Sequence, residues 1–227
     1  MKPLPLPQHT WVVVPCYGAH DAVAGMVAAL PPEVRAVTLV VDDGSTPALA
    51  LDGVRVLRHA RNRGYGAAQK TGYAAAMAEG AERVVLLHGD AQYPIQETLG
   101  LAHALDDADG ALGSRFLEHG GRNIPWWRRW GNRFLTESAN LRFGARISEL
   151  HSGARAFRTD ALRRLPLDRF SDDYVFDQQV LVGLLASGAP IAERPLVATY
   201  DDSVQSIGFR RSVRYGLGCL AVIARGH

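Results

Sequence analysis

The sequence predicts an α/β fold, a doubly wound and mostly parallel sheet with helices on both of its faces. Two observations lead to this prediction. Between residues 11 and 115, short apolar runs typical of buried strands alternate with longer helical stretches. Polar residues follow several of these runs, and the strand ends of an open α/β sheet form the crevice in which ligands bind. The chain has 227 residues, 47% of them hydrophobic, which is enough for one large core.

Apolar runs and prolines predict where the strands and helices lie between residues 11 and 115. Five strands are expected, at residues 11–15, 36–41, 54–57, 84–87 and 109–115, and the first, second and fourth of them are expected to be buried. Helices are expected at residues 20–30, 61–78 and 96–105. Pro15 should stop the first strand, and Pro31 and Pro32 should end the first helix.

Beyond residue 115 the pattern changes. We expect a helix at 124–142, a strand-like return at 151–158, a helix at 174–186, an edge strand at 190–199 and an amphipathic tail at 209–227. Trp126 and Trp130 share one face of the first of these helices. They either pack in the core or form a belt at a membrane interface. The basic tail suits docking on the domain or on an anionic membrane surface.

The stretch from His88 to Pro94 follows the predicted strand at 84–87 and carries the clearest chemical signal. Asp90 and Gln92 are two residues apart, so on extended backbone they point the same way. Such a pair of hard oxygens suits Mg²⁺ or Mn²⁺. The alternative is an Asx turn that caps a helix beginning near Ile95.

Two further strand ends carry candidate binding residues. Asp42 and Asp43 follow the second strand, where they can accept hydrogen bonds from a base or a ribose, or cap the turn. The run from Gly64 to Ala67 resembles half of a dinucleotide fingerprint. It follows the third strand and lacks the third glycine, which disfavours a dehydrogenase. Its small residues let a helix N-terminus approach another segment or a phosphate.

The charge distribution indicates an anionic partner. Residues 115–169 contain twelve arginines and five acidic residues, whereas residues 1–114 carry a net charge of −4. This central basic belt favours contact with a phosphate. Nucleic acid is disfavoured because the sequence has no nucleic-acid-reading motif.

The cysteines, the first residues and the apolar runs indicate where in the cell the protein is expected. Cys16 and Cys219 form no disulfide framework, which is typical of a reducing compartment. The first residues lack the apolar core of a signal peptide. The apolar run at 216–224 is shorter than the roughly 20 residues that a membrane span needs. We expect a cytoplasmic protein, or one peripheral on the inner face of the membrane.

Six stretches together resemble the family 2 glycosyltransferases of the GT-A fold, in the branch of dolichyl- or polyprenyl-phosphate sugar synthases. They are VVVPCYG at 12–18, VDDGST at 41–46, NRGYGAAQKTGY at 62–73, HGDAQY at 88–93, GSRF at 113–116 and HSGARAF at 151–157. The resemblance runs in order over nearly the whole chain. It implies a single domain over 1–227, with a nucleotide-sugar-binding half at 1–115, an acceptor-binding half at 116–208 and the basic tail at 209–227.

The resemblance implies a nucleotide-sugar donor and a bound Mg²⁺ or Mn²⁺. Its nucleotide-sugar-binding positions here are Pro15, Tyr17, Asp42, Asp43, Gly64, His88, Gly89 and Asp90. Pro15 and Tyr17 would line the base pocket, Asp42 would bind the base or ribose, and Asp43 would support the turn. Asp90 and Gln92 match the metal-binding positions, while His88 stands where the family has its first Asp. His88 would ligate a softer ion such as Mn²⁺ or leave water there. Gly18 and Ala19 replace an Asn-Glu pair of the family.

The resemblance also places the acceptor. Arg115 and Arg133, with Arg129 in reserve, match the region that grips the acceptor phosphate, and Ser152 lies near the sugar pocket. Its catalytic positions are Asp90, Arg115 and Asp177. A phosphate acceptor is already ionised and needs no base, whereas a hydroxyl acceptor would use Asp177, with Asp172 and Asp173 as rivals.

Three functions are therefore in competition. The first is an inverting, metal-dependent transfer of a sugar to a polyprenyl phosphate. The second is transfer to a hydroxyl of a small molecule or glycan, with Asp177 as the base. The third is an inactive nucleotide-sugar-binding protein, suggested by His88 and Ala19. A nucleotidyltransferase is disfavoured because no Lys or Arg follows the first strand closely.

Overall fold

The computed structural model describes residues 5–89, 93–117, 125–197 and 209–226, with the backbone alone for residues 209–214. Within these residues one sheet contains seven strands. They are β1 (Thr10–Cys16), β2 (Thr38–Asp42), β3 (Arg55–Arg58), β4 (Arg83–Leu86), β5 (Gly110–Ser114), β6 (Arg155–Arg158) and β7 (Ile191–Pro195). The order across the sheet is β3-β2-β1-β4-β6-β5-β7.

The sheet is mostly parallel, as the sequence predicts. β3, β2, β1 and β4 are parallel neighbours, and β5 is parallel to β7. β6 is antiparallel to both β4 and β5 and separates them. The carboxyl ends of β1, β2 and β4 therefore lie at one edge of the sheet.

Eight α-helices are described. They are α1 (His20–Ala29), α2 (Pro32–Arg35), α3 (Tyr65–Ala78), α4 (Ile95–Gly100), α5 (Trp126–Phe143), α6 (Thr159–Arg163), α7 (Phe176–Ala186) and α8 (Phe209–Arg225). The helix predicted at 96–105 is instead α4 followed by a 3₁₀ helix at Leu101–Asp106. The short α2 was not predicted. Pro32 ends one helix but occupies the first turn of the next, where its missing N–H costs no hydrogen bond.

The prediction that Pro15 stops β1 is wrong by one residue, because β1 continues to Cys16. The amide of Leu87 donates to the carbonyl of Val13, so this side of β1 faces β4. Pro15 has the same orientation as Val13, but β4 ends at Leu86. Pro15 has no N–H to donate to the Leu87 carbonyl, which would be the next hydrogen bond between these strands, so their pairing ends here.

Helices cover both faces of the sheet, as predicted. Val12 and Val14 pack on one side with α1 and the 3₁₀ helix, whereas Val13 packs on the other with α3 and α7. This alternation follows from the pleat of a strand that is buried on both faces. A third cluster joins α5 and α7 to the second half of α8.

The described half of α8 docks on the domain, one of the two alternatives for the tail. Cys219, Val222 and Ile223 are buried. The Tyr215 hydroxyl accepts a hydrogen bond of 2.8 Å from Gln178 Nε2 on α7. The end of α8 is therefore part of the core.

Candidate functional site

The candidate site lies at the carboxyl ends of β1, β2 and β4, where Pro15, Tyr17, Asp42, Asp43, His88 and Gly89 are found. Tyr17 follows β1 and is 60% exposed, so its ring is open to a ligand, whereas Pro15 is buried. His88 and Gly89 follow β4. Gly89 is needed for packing, because a Cβ there would lie 2.5 Å from Val23 Cγ2 on α1.

Asp42 organises the loop after β2. Its carboxylate is fully buried and accepts hydrogen bonds from the amides of Ser45 (2.9 Å) and Leu49 (3.1 Å). It also forms an ion pair with Arg58 at the end of β3. Burial by itself raises the pKa of Asp42, but the hydrogen bonds from Ser45 and Leu49 and the charge of Arg58 outweigh it and hold the pKa below its ordinary value. Both carboxylate oxygens therefore already hold the loop.

We expect Asp42→Asn to lower the free energy of unfolding by about 2 kcal/mol at pH 7, because the substitution removes a charged acceptor. Since the folded pKa lies below the unfolded value of 3.8, this stabilisation is complete above that value and is lost as the pH falls through the folded pKa. Urea denaturation at neutral and acidic pH should show a shallower acid loss for Asp42→Asn than for the wild type. Asp52→Asn, at an exposed position, is the control. Equal acid slopes for wild type and Asp42→Asn would contradict this role.

Asp43 ties the loop between β3 and α3 to the sheet. Its carboxylate accepts hydrogen bonds from the amides of Arg63 (2.9 Å) and Gly64 (2.8 Å) and lies 2.6 Å from His59 Nδ1. Gly64 has a φ of 110°, a left-handed conformation that favours glycine. The contacts of Asp43 therefore hold the loop between β3 and α3, and its support of its own turn stays a prediction.

The N-terminus of α3 contacts another segment of the chain. The backbone carbonyl of Asp172 accepts hydrogen bonds from the amides of Gly66 (2.8 Å) and Ala67 (3.2 Å). A Cβ on Gly64 would overlap this carbonyl. The Asp172 carboxylate forms an ion pair of 2.8 Å with Lys70. The small residues at the start of α3 therefore allow the segment around Asp172 to pass close to the helix. The N-terminus of α3 binds a backbone carbonyl of the chain itself.

His88 lies in a cluster of rings. Its Nε2 is 3.0 Å from the carbonyl oxygen of Gly153 and 3.2 Å from the Tyr65 hydroxyl. Because a carbonyl only accepts, Nε2 is the donor in this contact, and in the neutral ring Nδ1 then carries the lone pair. Burial and the charge of Asp177 raise the pKa of Tyr65 well above its ordinary value, so its hydroxyl stays neutral. A Cβ on Gly153 would overlap Nε2.

The remaining predicted metal ligands, Asp90 and Gln92, lie outside the described residues. In the described ranges no group of three or more His, Cys, Asp or Glu side chains could hold a metal ion. A donor set of an imidazole nitrogen, a carboxylate and an amide oxygen favours Mn²⁺ over Mg²⁺, because Mg²⁺ is the harder ion and prefers oxygen ligands. His88, with Nδ1 carrying the lone pair, fits such a set.

Arg115 is held by a carboxylate that sequence reasoning missed. Glu149 is fully buried and accepts hydrogen bonds from the Arg115 amide (2.7 Å) and Nε (2.8 Å), while a third contact is an ion pair with Nη2. Asn132 Nδ2 on α5 donates a further hydrogen bond of 2.9 Å to Glu149. The guanidinium of Arg115 is therefore fixed just beyond β5. Glu149 lies in the loop between α5 and β6 and belongs to no sequence motif, so the sequence gives no signal of its role.

The other predicted acceptor residues are placed differently. Arg129 and Arg133 are exposed on α5. Ser152 is buried, and its hydroxyl accepts a hydrogen bond of 3.3 Å from the amide of Ala154. Contact of these three residues with an acceptor phosphate stays a prediction.

Asp177 lies in the first turn of α7. Its Oδ1 accepts a hydrogen bond of 2.7 Å from Gln69 Nε2, and Gln69 Oε1 in turn accepts one from Tyr73. The buried guanidinium of Arg155 donates to the backbone carbonyls of Asp177 and Ser152. Within the described residues Oδ2 of Asp177 has no hydrogen-bond partner, so a proton acceptor is available there. Asp173, a rival, accepts a hydrogen bond from the amide of Tyr174.

Comparison with solved structures identifies the fold. Glucosyl-3-phosphoglycerate synthase from Mycobacterium tuberculosis, in complex with uridine diphosphate, shares the fold with a TM-score of 0.70 over 96% of this chain and 79% of that chain, at 18% identity. The fold is that of the GT-A glycosyltransferases. The chain belongs to glycosyl transferase family 2, whose profile matches residues 11–165.

Two curated relatives extend the likeness along most of the chain. Polyprenol monophosphomannose synthase from Mycolicibacterium smegmatis is 30% identical over 208 residues, covering 85% of this chain and 78% of the relative. Undecaprenyl-phosphate mannosyltransferase from Micrococcus luteus is 27% identical over 172 residues, covering 70% of each chain. The protein is a glycosyltransferase of the branch that the sequence motifs indicate. No helix within the described residues is long and apolar enough to cross a membrane.

Proposed function

We propose that the enzyme transfers a sugar from a nucleoside-diphosphate sugar to a polyprenyl phosphate, with inversion at the sugar carbon. The observation that carries the proposal is Arg115, which Glu149 holds just beyond β5 on the carboxyl side of the sheet. A planar guanidinium in a fixed orientation suits a phosphate group. The named relatives act on polyprenyl-type phosphates and match most of the chain, which supports this choice of acceptor.

The donor would bind at the strand ends. Tyr17 offers an exposed ring for a base, and the loops held by Asp42 and Asp43 form the adjoining walls. His88, Asp90 and Gln92 would hold a divalent cation, which neutralises charge on the leaving diphosphate when it is bound. Structures of the Mycobacterium tuberculosis synthase contain Mn²⁺ or Mg²⁺ together with uridine diphosphate, which supports a divalent ion here.

In the proposed step an ionised oxygen of the acceptor phosphate attacks the anomeric carbon of the sugar. The bond from that carbon to the diphosphate oxygen breaks, and the nucleoside diphosphate leaves with the electron pair. A phosphate monoester is ionised near neutral pH, so no protein base is required. Arg115 would orient the attacking phosphate, with Arg129, Arg133 and Ser152 as further candidates.

A second candidate function is transfer to a hydroxyl. The observation in its favour is Asp177, which Gln69 orients and whose second oxygen has no partner among the described residues. Asp177 would then take the proton of the acceptor hydroxyl as the new bond forms. In either case residues 1–115 would bind the donor, residues 116–208 the acceptor, and residues 209–227 would form the basic tail of one domain.

The two candidates are separated by incubating the enzyme with Mn²⁺, a prenyl phosphate and radiolabelled UDP- or GDP-sugars, then extracting into organic solvent. We expect label in the organic phase. Asp177→Asn should lower its formation less than about tenfold, whereas loss of a general base costs about 100-fold or more. Absence of label in the organic phase with every donor would overturn the lipid-phosphate proposal.

A further inference from the structure

The carboxylate of Glu193 on β7 binds the loop that carries Glu149. It accepts a hydrogen bond from the amide of Ser148, which lies 3.0 and 2.8 Å from its two oxygens. It also accepts hydrogen bonds from the Ser148 hydroxyl (2.8 Å) and from the amide of Glu149 (3.2 Å). Glu193 is half-buried and pairs in register with Leu112 of β5. A side chain of the edge strand β7 therefore fixes two consecutive amides in the loop between α5 and β6.

Side chains bind four consecutive amides of this loop. The Asn140 side chain on α5 accepts a hydrogen bond of 3.0 Å from the Ile147 amide and donates one of 2.9 Å to the Ile147 carbonyl. Thr136 Oγ1, also on α5, accepts one of 3.1 Å from the amide of Leu150. Glu193 binds the two amides between them. Backbone amides that are removed from water need partners, so side chains of α5 and β7 together set the path of the loop.

The path of this loop decides where Arg115 is held. Glu149 is fully buried, and its carboxylate binds both the amide and the guanidinium of Arg115. Glu193 thus holds the backbone of the residue whose side chain holds Arg115. A second link is the contact of 2.6 Å between the hydroxyls of Ser148 and Ser114, the residue directly before Arg115. Displacement of the loop therefore displaces the guanidinium.

We propose that Glu193 is a positioning residue for the transfer reaction. Through the backbone of Ser148 and Glu149, it sets the direction in which the Arg115 guanidinium meets the acceptor phosphate. The inference rests on the proposed function, in which Arg115 binds that phosphate. Because a guanidinium contact with a phosphate depends on direction, a small shift of Glu149 weakens acceptor binding. The donor site, at the ends of β1, β2 and β4, is left unchanged.

Steady-state rates, measured with the prenyl phosphate and the nucleotide sugar varied in turn, test the proposal. Glu193→Ala should raise the KM for the acceptor by about tenfold and change the KM for the donor by less than about twofold. Glu193→Gln keeps one oxygen for the loop amides, so its acceptor KM should lie between those of the wild type and Glu193→Ala. Glu137→Gln, at an exposed position of α5, is the control and should keep both values. A purely structural role would lower kcat through loss of folded enzyme and leave both KM values unchanged.

A second measurement needs no transfer. The Nε–H group of Arg115, which donates to Glu149 at 2.8 Å, gives an NMR signal that its absence in Arg115→Lys identifies. Exchange of this proton with water should be at least about tenfold faster in Glu193→Ala than in the wild type, because the bond to Glu149 opens more often. It should be unchanged in Glu137→Gln. If Glu193→Ala does not fold, Glu193→Gln takes its place in both measurements.

The two measurements separate failure of this inference from failure of the proposed function. Transfer to a prenyl phosphate with equal acceptor KM values in the wild type and Glu193→Ala would overturn the positioning role alone. Equal exchange of the Arg115 Nε–H proton in these two proteins would also overturn it. A wild type that transfers to no prenyl phosphate, together with faster exchange in Glu193→Ala, would overturn the proposed function and support the link from Glu193 to Arg115.

Discussion

Asp90→Ala should lower sugar transfer by about 1,000-fold, because a metal ion stabilises the departing diphosphate by several kcal/mol and each 1.4 kcal/mol is a factor of ten. The measurement is the initial rate at saturating Mn²⁺ with the best donor found. Asp107→Ala, which removes an exposed acidic side chain, is the matched control and should keep the wild-type rate.

His88→Asp sharpens this first test. The substitution gives the strand end the carboxylate that the family has in this position, so Mg²⁺ should support a larger share of the Mn²⁺ rate than in the wild type. Asp90→Ala within threefold of the wild-type rate would contradict the metal-binding role. A wild-type chain that binds a nucleotide sugar but transfers none with any divalent ion would favour the inactive binding protein.

Glu149→Gln should lower the free energy of unfolding by about 3 kcal/mol, because removal of one charge from a buried ion pair leaves the other uncompensated. Glu149 is fully buried and the Arg115 side chain is 11% exposed. Urea denaturation measures the loss. Glu137→Gln, an exposed glutamate of α5, is the matched control and should change stability by less than about 0.5 kcal/mol.

A double substitution separates stability from function at this pair. Arg115→Met together with Glu149→Met removes both charges and should recover much of the lost stability, since apolar side chains often replace a buried ion pair without loss. It should not recover transfer, because no guanidinium remains to bind the acceptor phosphate. Unchanged stability in Glu149→Gln, or full transfer by the double variant, would contradict the role given to Arg115.

The sequence predicts which residues lie at the carboxyl ends of β1, β2 and β4, because local patterns set those positions. β1, β2 and β4 are continuous apolar runs, and each is followed at once by its polar residues. The alternation of strands with helices implies a parallel sheet, so those residues must meet at one edge. This pattern predicts that Asp42 and His88 lie at the same edge of the sheet, whereas the roles of Tyr17 and His88 in binding the donor rest on the resemblance to the family.

The acceptor side could not be predicted in the same way, because it depends on pairings between distant segments. β6 lies between β4 and β5, an order that no local pattern encodes. Arg115 and Glu149 are 34 residues apart, and Glu149 has no motif around it. The crossing of Asp172 over the start of α3 joins segments about a hundred residues apart. Gly64 and Gly66 indicate that another segment approaches the start of α3 closely, but only the structure identifies that segment as the one around Asp172.

The prediction for Asp42 placed its carboxylate at the strand end but did not identify the groups that bind it. An acidic residue at a strand end predicts contact with a base or ribose, and Asp42 does lie at the candidate site. Its oxygens, however, already accept hydrogen bonds from Ser45 and Leu49 and pair with Arg58. A sequence shows that a carboxylate is present but not how many donors surround it.

A crystal structure of the enzyme with uridine diphosphate and Mn²⁺ tests the central claim most directly. We predict the ion at the end of β4, bound by the Asp90 carboxylate and bridging to the diphosphate, with His88 and Gln92 beside it and the base near Tyr17. A diphosphate bound elsewhere, with Asp90 turned toward the start of α4 as a helix cap, would contradict the assignment of this strand end as the catalytic centre.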